Sequence, residues 1–156
     1  MTLYHTSTLE IKLPDIRLSR PHLDFGKGFY LTELRSQAVR YGERFRRRGE
    51  QPIMNEYEFD EIRPNSSYKL FEEYDGEWLD FVTACRKGLK HEQYDVIEGG
   101  VADDNVFDSI DLYFAGIYNR EQALAELRYK KPNHQICITN QEVINQHLRF
   151  VKSIII

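Results

Sequence analysis

The chain has 156 residues, the length of one ordinary domain, and at that size roughly 70% of the unfolded surface is buried on folding, so the core needs no staple. Its 21 basic residues against 25 acidic ones leave a formal net charge of -4, which argues against a general nucleic-acid coat or a polybasic membrane binder. Apolar residues at 41% and charged residues at 29% exclude intrinsic disorder, while ten Tyr, nine Phe and one Trp suit both an aromatic core and stacking on a planar ligand.

Leu3-Tyr4-His5 opens a short strand, and the mixed stretch from Thr6 to Gly28 reads as an irregular loop. Phe29 to Thr32 is a second strand, and Thr32 caps a helix of good formers running from about Glu33 to Arg48. Ile53, Asn55, Tyr57 and Phe59 alternate with Met54, Glu56 and Glu58, the pattern of a half-exposed strand. Tyr68 to Phe71 is a further short strand. Asp75 caps a helix on which Trp78, Phe81, Val82, Cys85 and Leu89 form one apolar stripe. Tyr94 to Ile97 makes a strand ended by Gly99-Gly100. Helices follow near Asp104 to Tyr113 and after Asn119, which with Gln122 has the form of a capping box. Gln135 to Ile138 is a strand, Thr139 with Glu142 forms a second box before a short helix, and Phe150 to Ile156 closes as an apolar strand.

Strands and helices mix without the steady beat of a parallel sheet, and no linker or repeat divides them. The expectation is one α+β domain over residues 1–156. Cys85 and Cys137 are too few for a disulfide framework or a metal cage and read as buried free thiols. Met1-Thr-Leu-Tyr-His carries no signal-peptide pattern, and no apolar stretch approaches the ~20 residues of a membrane span, so a cytoplasmic protein with no membrane partner is expected.

Three local features could carry chemistry. His5, at the end of the first strand, precedes Thr6, Ser7 and Thr8, a pattern that also fits a plain strand end with turn chemistry. Asp24-Phe-Gly-Lys-Gly-Phe-Tyr-Leu-Thr is followed by a helix carrying Tyr41. Gly26 and Gly28 would let backbone approach a ligand, and Tyr30 and Tyr41 could hold a planar group between them; a hairpin turn with core tyrosines reads equally well. In Asn133-His134-Gln135-Ile136-Cys137, the polar Gln135 at the start of an apolar strand suggests an amide facing a cavity, although polar strand ends are common.

Taken together, His5, the Gly26-to-Tyr30 segment, Tyr41 eleven residues on and the late polar strand start resemble the ADP-ribosyltransferases. The branch is the one that includes poly(ADP-ribose) polymerases and diphtheria toxin, known by a His-Tyr-Glu triad on three separated strands. The chain is also similar to small bacterial proteins with the same pieces, some encoded as toxins. The resemblance implies a split β-sandwich with flanking helices, NAD as substrate, no metal, and a catalytic set of His5, Tyr30 and Gln135. NAD would be held by His5, the backbone of Thr6, Gly28, Tyr30 and Tyr41, with His5 on the adenosine ribose and the two tyrosines around the nicotinamide. The further partners implied are a protein or nucleic-acid acceptor and an antitoxin.

The departures are specific. Thr6 stands where related enzymes often have Gly, Ala38 where polymerases place a Ser on the carboxamide, and Gln135 where the family has Glu. Gln135 can bond a ribose hydroxyl but brings no charge opposite the oxocarbenium, and loss of one preorganised group costs ~10²–10³ in rate. A nearby carboxylate such as Glu98 or Asp95 could supply it. Arg40, Arg44 and Arg46 to Arg48 read as a solvated helix terminus or as a docking patch for an acidic target or RNA. The expectation is therefore a mono-ADP-ribosyltransferase of toxin or effector type, with a silent NAD- or ADP-ribose-binding module as the competing class. A tRNA 2′-phosphotransferase relative ranks last, because its cleft arginines are replaced by Tyr30 and Gln135.

Overall fold

Apolar residues on two short-strand sheets decide how the strands are sorted. The computed structural model describes residues 1–60 and 67–156. β1 (Thr2–Ser7) leads through a long loop, with one 3-10 turn at Ile16–Leu18, into β2 (Phe29–Leu31), α1 (Arg35–Tyr41) and α2 (Glu43–Arg46). β3 (Ile53–Phe59), β4 (Tyr68–Leu70), α3 (Gly76–Lys87), β5 (Val96–Gly99), α4 (Asp104–Phe114) and α5 (Arg120–Leu127) follow. β6 (Gln135–Ile138), α6 (Gln141–His147) and β7 (Leu148–Ile155) complete the order.

Two sheets result, one of order β1-β3-β7 and one of order β2-β6-β5-β4. All pairs are antiparallel except β4 with β5, so the class is α+β. Phe29, Leu31, Ile136 and Ile138 of the four-stranded sheet pack with Tyr57 and Phe59 of the other in one core. Ile97 and Cys137 look the opposite way, toward Trp78, Leu79, Val82 and Ile110 on the helices, and form a second core. Full burial of each such side chain stabilises the fold by about 1.5–3 kcal/mol.

Local signals explain the helix ends. The Asp75 carboxylate accepts the Trp78 N–H at 3.0 Å to start α3, and Gly88, in the left-handed conformation at φ 66, stops it. Leu89 lies past that stop and is exposed, so the buried stripe ends at Cys85. The Asn119–Gln122 capping box opens α5 as expected.

Three expectations are corrected. The helix from about Glu33 to Arg48 is two helices, parted at Gly42, whose N–H bonds Val39 O in a tightened turn. A Cβ at Gly42 would lie 3.0 Å from Ile156 Cδ1 and 3.1 Å from Pro52, so close packing on the end of β7 selects glycine there. β3 keeps its alternation from Asn55 to Phe59, with Glu56 and Glu58 half-buried on the outer side, but Met54 on that same side is fully buried beside Thr6, whose Oγ1 donates to Ala38 O of α1 at 2.7 Å. Finally, Asn140 rather than Thr139 caps α6, since the Thr139 hydroxyl is already donated to Tyr94 O.

Candidate active site

The two sheets touch where β1 meets β2. Tyr4 and Thr32 exchange backbone hydrogen bonds of 2.8 and 2.9 Å as an isolated bridge. His5 is the next residue, and its Nδ1 lies 2.7 Å from Tyr30 O. A carbonyl can only accept, so Nδ1 carries the proton and Nε2 is left as an acceptor. The ring lies 4.5 Å from that of Phe29, and burial holds its pKa below the usual value of 6.5 against the opposing effect of the Tyr30 carbonyl. His5 is therefore a neutral imidazole with one nitrogen available.

Tyr30 points to the helical side of β2. Its hydroxyl donates to Gly26 O and accepts the Phe25 N–H at 3.0 Å, closing the turn in which Gly26 takes φ 79. Burial pushes its pKa upward, so it remains a phenol. Gly28 has a packing reason of its own: a Cβ there would come 2.5 Å from Cys137 Sγ and 2.8 Å from Ile138 O. The glycine admits β6, and this replaces close ligand approach as the explanation for its place in the motif. Tyr41 ends α1 with 46% of its surface exposed, and Arg44 covers one ring face at 4.4 Å while donating to its hydroxyl at 2.7 Å. Among the described residues no ring contact joins Tyr30 to Tyr41. Both expected free thiols are buried, and desolvation pushes Cys85 up to about 12 and Cys137 upward as well.

Gln135 is buried at the start of β6, on the strand paired with β2. Its Nε2 donates to Gly100 O at 3.1 Å and to Asp24 Oδ2 at 3.4 Å. Asp24 is itself 8% exposed: Arg86 donates twice to its Oδ1, at 2.9 and 2.6 Å, and the Ala102 N–H donates to Oδ2 at 2.9 Å. Of the two carboxylates proposed to replace the missing charge, Asp95 lies at the far end of β5, accepting from Ser67 and Asn140. Glu98 is one residue from the pair that Gly99 makes with Gln135, and it accepts from His134 Nε2 at 2.9 Å.

A cleft of about 330 Å³ opens beside this end of β6, lined in part by Glu33, Glu98, Gly100, Asn133 and His134. The Gln37 amide clamps its wall, donating to His134 O at 2.7 Å and accepting the His134 N–H at 3.2 Å. α1, and with it Tyr41, is thereby fixed against β6.

Residues 1–150 match a family model described as Protein of unknown function (DUF3990). The chain belongs to that family. No curated protein and no solved structure matches it.

In this DUF3990 chain the largest omission from the sequence-based site is Asp24 with its partner Arg86. Asp24 opens the glycine-rich segment, but nothing in local spacing ties it to residues 62 and 111 positions away. The sequence signal is weak: an acidic residue before an aromatic-glycine turn, and an arginine at the end of a helix that also carries Glu77, Asp80 and Lys87. Among the described residues no trio of His, Cys, Asp or Glu is arranged to hold a metal, and no helix is long and apolar enough to cross a membrane.

Proposed function

We propose that the chain is an NAD-dependent mono-ADP-ribosyltransferase, which cleaves the bond between nicotinamide and its ribose. In this reaction the bonding pair leaves with the nicotinamide nitrogen and positive charge forms on the ribose. A nucleophile of a macromolecular acceptor then bonds to C1′ and gives up its proton. The observation that carries the reading is His5, held neutral at the seam of two sheets with Nδ1 on the Tyr30 carbonyl and Nε2 without a partner among the described residues. Such a nitrogen suits a ribose hydroxyl, which must donate to it. The resemblance of the Gly26-to-Tyr30 segment and Tyr41 supports the same ligand, with the exposed Tyr41 ring offering a stacking face and the Thr6 backbone a place for the carboxamide. The split arrangement of a three-stranded and a four-stranded sheet is compatible with the sandwich that the resemblance implies.

One observation favours a second reading, a silent NAD- or ADP-ribose-binding module. The Gln135 amide nitrogen is committed to Gly100 and Asp24 and cannot donate to substrate without breaking those bonds.

Nicotinamide release from NAD, with and without cell lysate as a source of acceptor, separates the two. The wild type should release nicotinamide, and His5→Ala should abolish release while remaining folded. Tyr41→Ala, which removes an exposed ring, should raise KM for NAD about 5- to 150-fold if stacking contributes its usual ~1–3 kcal/mol. Protection of the wild type by NAD against thermal unfolding, without any release, would establish the silent module instead. Neither release nor protection would sink both.

A further inference from the structure

We infer that Asp24 is a positioning residue that turns the Gln135 amide so that its carbonyl oxygen, rather than its nitrogen, faces the ligand. The inference rests on the proposed function only for the ligand, a ribose hydroxyl; the orientation follows from the protein's own groups. Gly100 O and the Asp24 carboxylate can only accept hydrogen bonds, so the amide nitrogen has to be the atom that meets them. Asp24 cannot turn away, because Arg86 holds one of its oxygens and the Ala102 N–H holds the other. Gly100 O is fixed as well, accepting from Trp78 Nε1 at 3.1 Å. Oε1 of Gln135 accepts no hydrogen bond among the described residues and is the group left to act.

The arrangement accounts for glutamine at a position where the resembled family has glutamate. A carboxylate at 135 would place an oxygen against Gly100 O and a second negative charge beside Asp24, both in a buried setting where like charges interact strongly. With glutamine, the negative charge sits one residue behind and polarises the amide through a charge-assisted bond. The acceptor oxygen presented to the ribose is then more negative than that of an isolated amide, where positive charge develops in the transition state. Asp24 and Gln135 would thus share between two side chains what a single glutamate does elsewhere, and Arg86 fixes the arrangement.

A double-mutant cycle tests this, with Gln135→Glu, Asp24→Asn and the combination each measured for thermal unfolding and for kcat and KM of nicotinamide release. Gln135→Glu should lower Tm and leave kcat no higher than wild type. Its Tm deficit should shrink as pH is lowered, because a proton on the new pair restores a donor. Asp24→Asn should lower kcat on the order of 10- to 100-fold with KM for NAD little changed, the scale of lost orienting partners. In the combined variant an amide again faces a carboxylate, so its losses should be smaller than the two single losses together. Losses that simply add, or a Gln135→Glu protein with unchanged Tm and a higher kcat, would overturn the inference. If Asp24→Asn does not fold, Gln135→Glu alone decides by the same two readouts. A wild type that releases no nicotinamide would refute the proposed function, and the Tm cycle would still decide whether the two residues are coupled.

Discussion

Toward the three-stranded sheet, the four-stranded sheet turns a dry face made of Phe29, Leu31, Val96, Ile136 and Ile138. Toward the helices it turns Ile97 and Cys137, but also Tyr30 and Gln135, and it meets there the buried carboxylate of Asp24. A buried charge costs several kcal/mol unless it is paired and hydrogen-bonded, and Asp24 is satisfied from Arg86, Ala102 and Gln135. The inter-sheet face is filled mainly by apolar side chains, whereas the helical face must also keep a buried carboxylate and its donors in register. The two cores should therefore fail differently when they are damaged.

Truncating one large aromatic in each core separates them most strongly. Trp78→Ala in the helical core and Phe59→Ala in the inter-sheet core each remove a buried aromatic, and each should cost about 3–5 kcal/mol. Trp78 also donates to Gly100 O, which in turn holds the Gln135 amide. Nicotinamide release, corrected for folded fraction by denaturant titration, should drop further in Trp78→Ala and stay near wild type in Phe59→Ala. Equal release per folded molecule would mean that the polar set does not depend on the core around it.

The next effect is smaller and sits where the two faces share a strand. Gly28→Ala puts a methyl 2.5 Å from Cys137 Sγ and 2.8 Å from Ile138 O, and Ile138 belongs to the dry face. Backbone cannot yield as a flexible side chain can, so overpacking should destabilise by about 1–3 kcal/mol. Tm measurement checks it, and Gly49→Ala is the control for a crowding effect, since nothing lies within 4 Å of the Cβ position there. Gly49 has φ 74, so its own loss reports backbone strain alone and should be the lesser of the two.

How much of this could be read from the chain depends on distance along it. Patterns that act within a few residues were legible: the Asp75 cap, the Asn119–Gln122 box and the apolar run from Gln135 to Ile138 all lie where expected. The α+β class followed from the same local signals. What escaped was set by packing between distant segments. Gly42 stands at the break between α1 and α2, where a side chain would crowd Ile156 and Pro52, and Met54 is buried beside Thr6, whose hydroxyl donates to Ala38 O of α1. The candidate site divides in the same way. His5, Tyr30 and Gln135 stand out by type and order, and they lie on adjoining strands β1, β2 and β6. Asp24 and Arg86 became visible only once α3 was laid against the turn before β2.

The smallest effect concerns the seam itself. His5 lies against Phe29 of the dry face, and burial lowers its pKa in the folded protein. Below an unfolded value near 6.5 the unfolded chain binds a proton that the folded one resists, so folding stability rises with pH through this window and falls as pH drops below it. His5→Asn removes that titration. The Tm difference between wild type and His5→Asn should therefore narrow as pH is taken from 8 toward 5. Parallel Tm curves would mean that the ring reaches solvent freely and is not held neutral. The same proton would occupy Nε2, the nitrogen offered to a ribose hydroxyl, so NAD protection of the wild type should weaken over the same pH range. A binding site on the helical face alone would leave NAD protection flat there, which makes this shallow dependence the measurement that tells the seam from the polar core behind it.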